Sequence, residues 1–141
     1  MAHGRPGNYD KLLKKIDQDG VCPFCPKNLK LYHKKPLIKE TSGWFLTTNQ
    51  IPYAGLKHHW LFISKKHITT LSKLTPKDWS ELGGLIKFLE KKYKIPGGSF
   101  FIRFGETDYT GASVSHLHGH LAVGGKRKTG EEVNVRLAYK K

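Results

Sequence analysis

Residues 115–123 read Ser-His-Leu-His-Gly-His-Leu-Ala-Val, three histidines at strict alternation ahead of an apolar tail. Side chains on a β-strand point to alternate faces, so His116, His118 and His120 would share one face. Near neutral pH an imidazole can act as metal ligand, nucleophile or proton shuttle. Packing readily explains a lone histidine. Three in register behind a turn rich in Gly, Ser and Thr point instead to chemistry, with a pure metal-binding ribbon as the alternative.

A second group of reactive residues lies near the start of the chain. The only cysteines, Cys22 and Cys25, stand in Val-Cys-Pro-Phe-Cys-Pro. Two intervening residues suit either a redox disulfide or half of a zinc site. The redox reading needs thioredoxin-like βαβ surroundings, which the pattern does not offer. Zinc needs two further ligands, and eight histidines are available to supply them. His33, soon after Cys25, competes for one of those places.

The elements that must position these residues follow from periodicity. Residues 9–18 read as a short amphipathic helix with Leu12, Leu13 and Ile16 on one side, stopped by Asp19-Gly20. Residues 37–40 and 44–48 form a hairpin around Ser42-Gly43, and 49–56 a turn with Pro52, Tyr53 and Gly55. Residues 60–64 are an apolar, buried strand. The clearest helix spans 76–94, with Thr75 as N-cap, Pro76 in the first turn and Asp78 at the positive end. Trp79, Leu82, Ile86, Leu89 and Tyr93 form its core stripe, while Lys77, Lys87, Lys91 and Lys92 face water. A strand over 100–104, a polar connection over 105–113, the histidine strand, a charged turn over 126–131 and a final strand over 133–139 complete the chain. Neighbouring strands with one long helix imply an α+β fold on an antiparallel sheet.

With 141 residues, one domain is expected over 9–141, behind a loose segment at 1–8. No run reaches the ~18 apolar residues of a membrane span. Residues 1–10 lack the apolar core of a signal peptide, so the expected location is cytoplasmic. The net charge of +14, from 25 Lys and Arg against 11 Asp and Glu, attracts phosphates on nucleotides, nucleic acid or headgroups. Lysine-rich faces that merely keep the protein in solution give the same composition.

The run His116-Leu-His-Gly-His-Leu-Ala closely resembles the signature of the histidine triad (HIT) family, His-φ-His-φ-His-φ-φ with φ apolar, Gly119 being smaller than usual. Residues 60–67, Trp-Leu-Phe-Ile-Ser-Lys-Lys-His, are similar to the family's apolar strand and Pro-Lys-x-His, with Ser64 in place of proline. Asn49-Gln-Ile-Pro52-Tyr53 resembles the Asp/Asn-x-x-Pro segment that holds a ribose. The resemblance spans residues 22–125. It implies a HIT-like fold: an antiparallel sheet of about five strands, one long helix and a short N-terminal helix, paired as a homodimer. It also implies chemistry at a nucleotide α-phosphate through a covalent nucleotidyl-histidine.

By position, His118 is the implied nucleophile, its other ring nitrogen held as a donor by a backbone carbonyl of the triad strand. His120 stands where transferases of the family carry Gln and hydrolases carry His, which favours hydrolysis and gives it a proton to manage at the leaving group. Ser113 matches a serine that contacts the phosphate or leaving group, although a turn residue would look the same. Gly105 occupies a place where phosphoramidases often have Asn. Asn49 is the implied ribose ligand. Followed by Pro-Tyr it is also reminiscent of dinucleoside polyphosphate phosphorylases. Phe45, Leu46 and Ile63 are candidates to enclose the base, or equally to be core. His59 matches a histidine that commonly opens its strand, whereas surface roles suffice for His58.

Several family members carry a structural zinc. Carried over residue by residue, its ligands are Cys22, Cys25, His67 and His116, a closed Cys₂His₂ shell with no place for substrate. Without metal, His67 and His116 would pair by hydrogen bonding and orient the triad. The implied function is a nucleotide hydrolase or nucleotidyltransferase that releases a nucleoside monophosphate, AMP first among them, from a phosphoanhydride or phosphoramidate. The alternatives are phosphorolysis of dinucleoside polyphosphates, removal of AMP from adenylated nucleic acid ends as in aprataxin-like members, and a non-catalytic nucleotide-binding module. Nucleic acid as a partner would be drawn by the basic surface; no membrane partner is expected.

Overall fold

The computed structural model describes residues 8–128 and 131–141. Helix α1 (Asn8–Asp19) and helix α2 (Pro26–Tyr32) precede strands β1 (Leu37–Glu40), β2 (Trp44–Thr48) and β3 (His58–Ser64). Helix α3 (Pro76–Tyr93), strand β4 (Ser99–Arg103), the one-turn helix α4 (Thr107–Thr110) and strand β5 (His118–Val123) follow. The five strands form one sheet in the order β1-β2-β3-β5-β4, every pair antiparallel. The expected α+β architecture with about five strands is the one observed, and β5, which carries the histidines, lies between β3 and β4.

Alternation divides the sheet into two faces. Trp44, Leu46, Trp60, Phe62, Leu117, Leu121 and Val123 meet Leu82, Leu85 and Leu89 of α3 in the main core. Each such leucine contributes about 1.5–3 kcal/mol through its burial. The opposite face packs Phe45, Leu61 and Ile63 against Leu29 of α2. It also carries His118 and His120.

Helix α3 begins in a capping box: the Thr75 hydroxyl accepts from the Asp78 amide at 3.1 Å, and the Asp78 carboxylate accepts from the Thr75 amide at 2.9 Å. The Thr75 amide and the Lys66 ammonium, 3.1 Å away, hold the Asp78 carboxyl below its ordinary range. The Asp78 carbonyl also accepts from the Trp44 indole at 2.8 Å. These bonds fix the rotation of the helix and correct the expected stripe. Asp78, Leu82, Leu85 and Leu89 are buried, whereas Trp79 and Tyr93 are 45% and 40% exposed.

Other boundaries also differ from expectation. Asn8, assigned to the loose segment, opens α1, while residues 1–7 of that segment lie outside the described residues. Helix α2 was not foreseen, because its seven residues are too short to show a periodicity. The polar connection at 105–113 contains α4. Two residues of the charged turn, 129 and 130, lie outside the described residues. Residues 133–139 are extended but belong to no ladder. Alternating apolar residues favour an extended chain without supplying a partner strand.

Gly119 departs from the bulkier residue of the family signature for a packing reason. A Cβ there would sit 2.8 Å from the Phe100 ring and 3.2 Å from Ile102. Phe100 is held edge-on against Phe62, with ring centroids 5.5 Å apart, so it has little room to retreat. Gly119→Val is therefore expected to lower stability by about 1–3 kcal/mol, measured by urea unfolding. An unchanged midpoint would show that this face is loosely packed.

Candidate active site and metal centre

The even-numbered residues of β5 emerge on the face opposite α3. His118 and His120 are both buried, with ring centroids 5.0 Å apart. Their neighbours across the ladders are Ile63 and Arg103 for His118, and Leu61 and Phe101 for His120. The Phe101 ring stacks on His120 at 4.7 Å, and Phe24 meets His118 edge-on at 4.9 Å. Both imidazoles are thus clamped by rings that cannot exchange protons with them.

Hydrogen bonds then determine which nitrogen carries each proton. His118 donates from Nδ1 to the His116 carbonyl at 2.7 Å, which leaves a lone pair on Nε2. Burial pushes the pKa of His118 down to about 4, with the nearby charges of His116 and Arg103 acting in the same direction and the bond to the His116 carbonyl opposing them. Its ring is therefore neutral at neutral pH. The Tyr53 amide donates to Nδ1 of His59 at 3.2 Å, so neutral His59 holds its proton on Nε2. That nitrogen lies 2.8 Å from Nδ1 of His120 and donates to it, so His120 keeps its own proton on Nε2. The pair therefore consists of a lone pair on His118 and a donor on His120.

Both histidines line a cavity of about 220 Å³. Asn49, Ser113, Tyr53 and Arg103 also line it, together with an apolar wall that includes Leu12, Ile16 and Phe24. Asn49 is buried, and its side-chain oxygen accepts from the Ile51 amide at 2.9 Å, so it shapes the turn as well as the cavity wall. Phe45, Leu46 and Ile63, offered as a base enclosure, do not reach the cavity: all three are core.

His116 precedes β5 and faces a different group. Its Nε2 donates to the Ser64 carbonyl at 2.6 Å, leaving Nδ1 as a lone pair. That lone pair lies 3.3 Å from Cys22 Sγ, 3.8 Å from Cys25 Sγ and 3.2 Å from His67 Nδ1, and Cys25 Sγ is 3.3 Å from His67 Nδ1. All four ligand atoms fall within 4.8 Å of one another. Tetrahedral zinc, with bonds of about 2.0–2.3 Å, sets its ligands roughly 3.3–3.8 Å apart, so this donor set fits such an ion. Both cysteines are free thiols. Burial and the adjacent Cys22 sulfur push the Cys25 thiol up, so its thiolate calls for a cation. His33 is not part of the group: it sits 2.7 Å from the Thr47 hydroxyl and borders the cavity instead.

Sequence reasoning left three contributors to the cavity without a role. His59 was matched to a family position, but its bond to His120 depends on the diagonal pairing of β3 with β5. Arg103 looked like the end of a strand. Asn134, Val135 and Arg136 looked like part of another strand, yet they line the cavity. The only local signal was parity, because Arg103 and Phe101 must share a face of β4.

No protein-family model matches the chain, and no curated protein matches it. Among solved structures, the fold is that of the histidine triad proteins. The chain is similar to a histidine triad nucleotide-binding protein from Candida albicans at 22% identity, covering 81% of this chain and 87% of that one with a TM-score of 0.59. It is similar to a Zn-bound histidine triad family protein from Mycobacterium smegmatis at 19% identity, with 86% and 85% covered and a TM-score of 0.58. A HIT family hydrolase from Clostridium thermocellum matches at 24% identity, with 80% and 96% covered and a TM-score of 0.56. No described helix is long and apolar enough to cross a membrane.

Proposed function

We propose that this protein is a histidine triad nucleotide hydrolase or nucleotidyltransferase acting at the α-phosphate of a nucleoside phosphoanhydride or phosphoramidate. The observation that carries the reading is the pairing of a neutral His118, with its Nε2 lone pair, and the Nε2–H donor of His120 in one cavity. His118 Nε2 forms a bond to phosphorus as the bond to the leaving group breaks, and His120 donates to the departing atom or to the phosphoryl oxygen. Water then attacks the nucleotidyl-histidine, the N–P bond breaks and the nucleoside monophosphate is released. Ser113 would contact the phosphate and Asn49 the ribose. The named relatives of similar fold, a hydrolase and a nucleotide-binding protein, support the same class.

A structural zinc on Cys22, Cys25, His67 and His116 belongs to this reading. It would tie the Cys-x-x-Cys segment to the chain just ahead of β5 and supply rigidity rather than a reaction step. A homodimer and a cytoplasmic location belong to it as well; β1 and β4 are the sheet's edge strands, where a second copy could pair.

The direct test is to incubate the zinc-replete protein with adenosine 5′-phosphoramidate, an aminoacyl-adenylate and diadenosine tetraphosphate. AMP release without added phosphate supports hydrolysis, whereas ADP appearing only with phosphate would indicate phosphorolysis. No turnover of any of the three would count against the reading.

His59 would act through His120. His59→Phe keeps the ring but removes the proton on which the His120 tautomer depends. It is expected to lower kcat on the phosphoramidate about 10- to 100-fold, part of the ~10²–10⁴ that a positioned acid supplies. The loss should shrink for a mixed phosphoanhydride whose leaving group needs no proton. Equal losses on both substrates would show that His59 serves only the fold.

A further inference from the structure

A displacement at phosphorus must deal with the charge of whatever departs. An amine leaves once it has been protonated, so it needs an acid. A phosphate leaves with the bond's electron pair on oxygen and needs a cation instead.

Arg103 lies directly opposite His118 in the β4–β5 ladder. Its guanidinium donates through Nε and Nη2 to the Arg136 carbonyl, at 2.9 and 2.5 Å, and through Nη1 to the Tyr53 hydroxyl at 3.1 Å. All three bonds go to neutral oxygens, so the positive charge is oriented but not cancelled. The fork also clasps the extended segment 133–139 against the cavity that His118, His120 and Ser113 line. Glycines receive this strap on either side. Val133 lies 3.3 Å from the Cβ position of Gly55, while Arg136 and Tyr139 lie 2.5 and 3.2 Å from that of Gly111. Gly55 and Gly111 both have positive φ, 90° and 78°, so a side chain there would be strained and would also collide with the strap at Gly111. Two arginines line the cavity, and no aspartate or glutamate is among its lining residues.

We infer that Arg103 and the strap over 133–139, through Arg136, form the leaving-group side of the site and select substrates whose leaving group is itself a phosphate. The substrate class is a nucleoside 5′-phosphate joined by a phosphoanhydride to a second 5′-phosphate, borne by a nucleotide or by a nucleic acid end. In the first step the His118 N–P bond forms while the bridging P–O bond breaks, and the departing phosphate carries the electron pair beside the two guanidinium groups. This inference rests on His118 being the nucleophile.

The test compares wild type, Arg103→Gln and Arg136→Gln on diadenosine tetraphosphate, a 5′-adenylated DNA oligonucleotide and adenosine 5′-phosphoramidate, each followed by AMP release. A charge-assisted hydrogen bond is worth about 10- to 100-fold in binding or rate. The loss of kcat/KM on the phosphoanhydrides should therefore exceed that on the phosphoramidate at least about tenfold, and Arg103→Lys should recover part of it. The phosphoanhydride with the larger differential loss identifies the source of the second phosphate. Equal losses on all three substrates, or none, would overturn the inference, as would a wild type that cleaves only the phosphoramidate; in that last case the proposed function still holds. A wild type that releases no AMP from any substrate would overturn the proposed function itself.

Discussion

His118→Ala is expected to reduce AMP release by about 10⁴-fold or more, the scale on which removal of an enzyme nucleophile acts. The ring is poised in three ways. The His116 carbonyl holds its Nδ1 proton, burial keeps it uncharged, and Phe24 fixes its plane. Alanine removes all of this, and no other described side chain offers a lone pair at the same place, because His120 is turned with its proton on Nε2. Nucleotide affinity should change far less, since the cavity wall of Asn49, Tyr53 and the apolar residues persists. Two measurements decide the matter: single-turnover AMP release, and mass spectrometry of acid-quenched wild type for a nucleotidyl adduct absent from the variant. Comparable turnover by both proteins would refute the covalent route and favour direct attack by water. Loss of nucleotide binding together with activity would point to a collapsed site, to be checked by the thermal midpoint.

Removing metal is expected to have the largest effect on stability. A ligand that binds only the folded state and is present at a thousand times its dissociation constant stabilises by about 4 kcal/mol. For a chain of this size, that shifts the midpoint of unfolding by roughly 10–20 °C. The purified protein should hold close to one zinc per chain. Chelation, or Cys25→Ser, should lower the midpoint by that amount and return it only when the ligand set is intact. Activity should fall too, through two physical links. The His116 carbonyl that orients His118 belongs to a residue of the cluster, and Phe24, between the two cysteines, packs on the His118 ring. Protein that contains no metal and melts identically with and without chelator would overturn the assignment, leaving a hydrogen-bonded His67–His116 pair as the support for the triad.

Much of this site was legible in one dimension. The alternation of His116, His118 and His120 with Leu117, Gly119 and Leu121 is a local property of an extended chain, so the division into a chemical face and a core face follows from residue order alone. The Cys-x-x-Cys spacing similarly restricts two ligands to one small turn, and Thr75-Pro76-Lys77-Asp78 specifies a helix start because every bond of a capping box lies within four residues. Other features required contacts between distant parts of the chain. His116 left the strand because its lone pair meets Cys22, Cys25 and His67, a set distributed over 94 positions. Which ring nitrogen of His120 holds the proton depends on a backbone amide at Tyr53, relayed by His59. Residues 133–139 showed the same alternation as a strand, yet the sheet edge does not take them up. They cross the cavity instead, because the Arg103 side chain and two positive-φ glycines hold them there. Periodicity determined which way each side chain could point, while the tertiary structure decided what it would meet, since strand order and ladder register are pairings that no local pattern encodes.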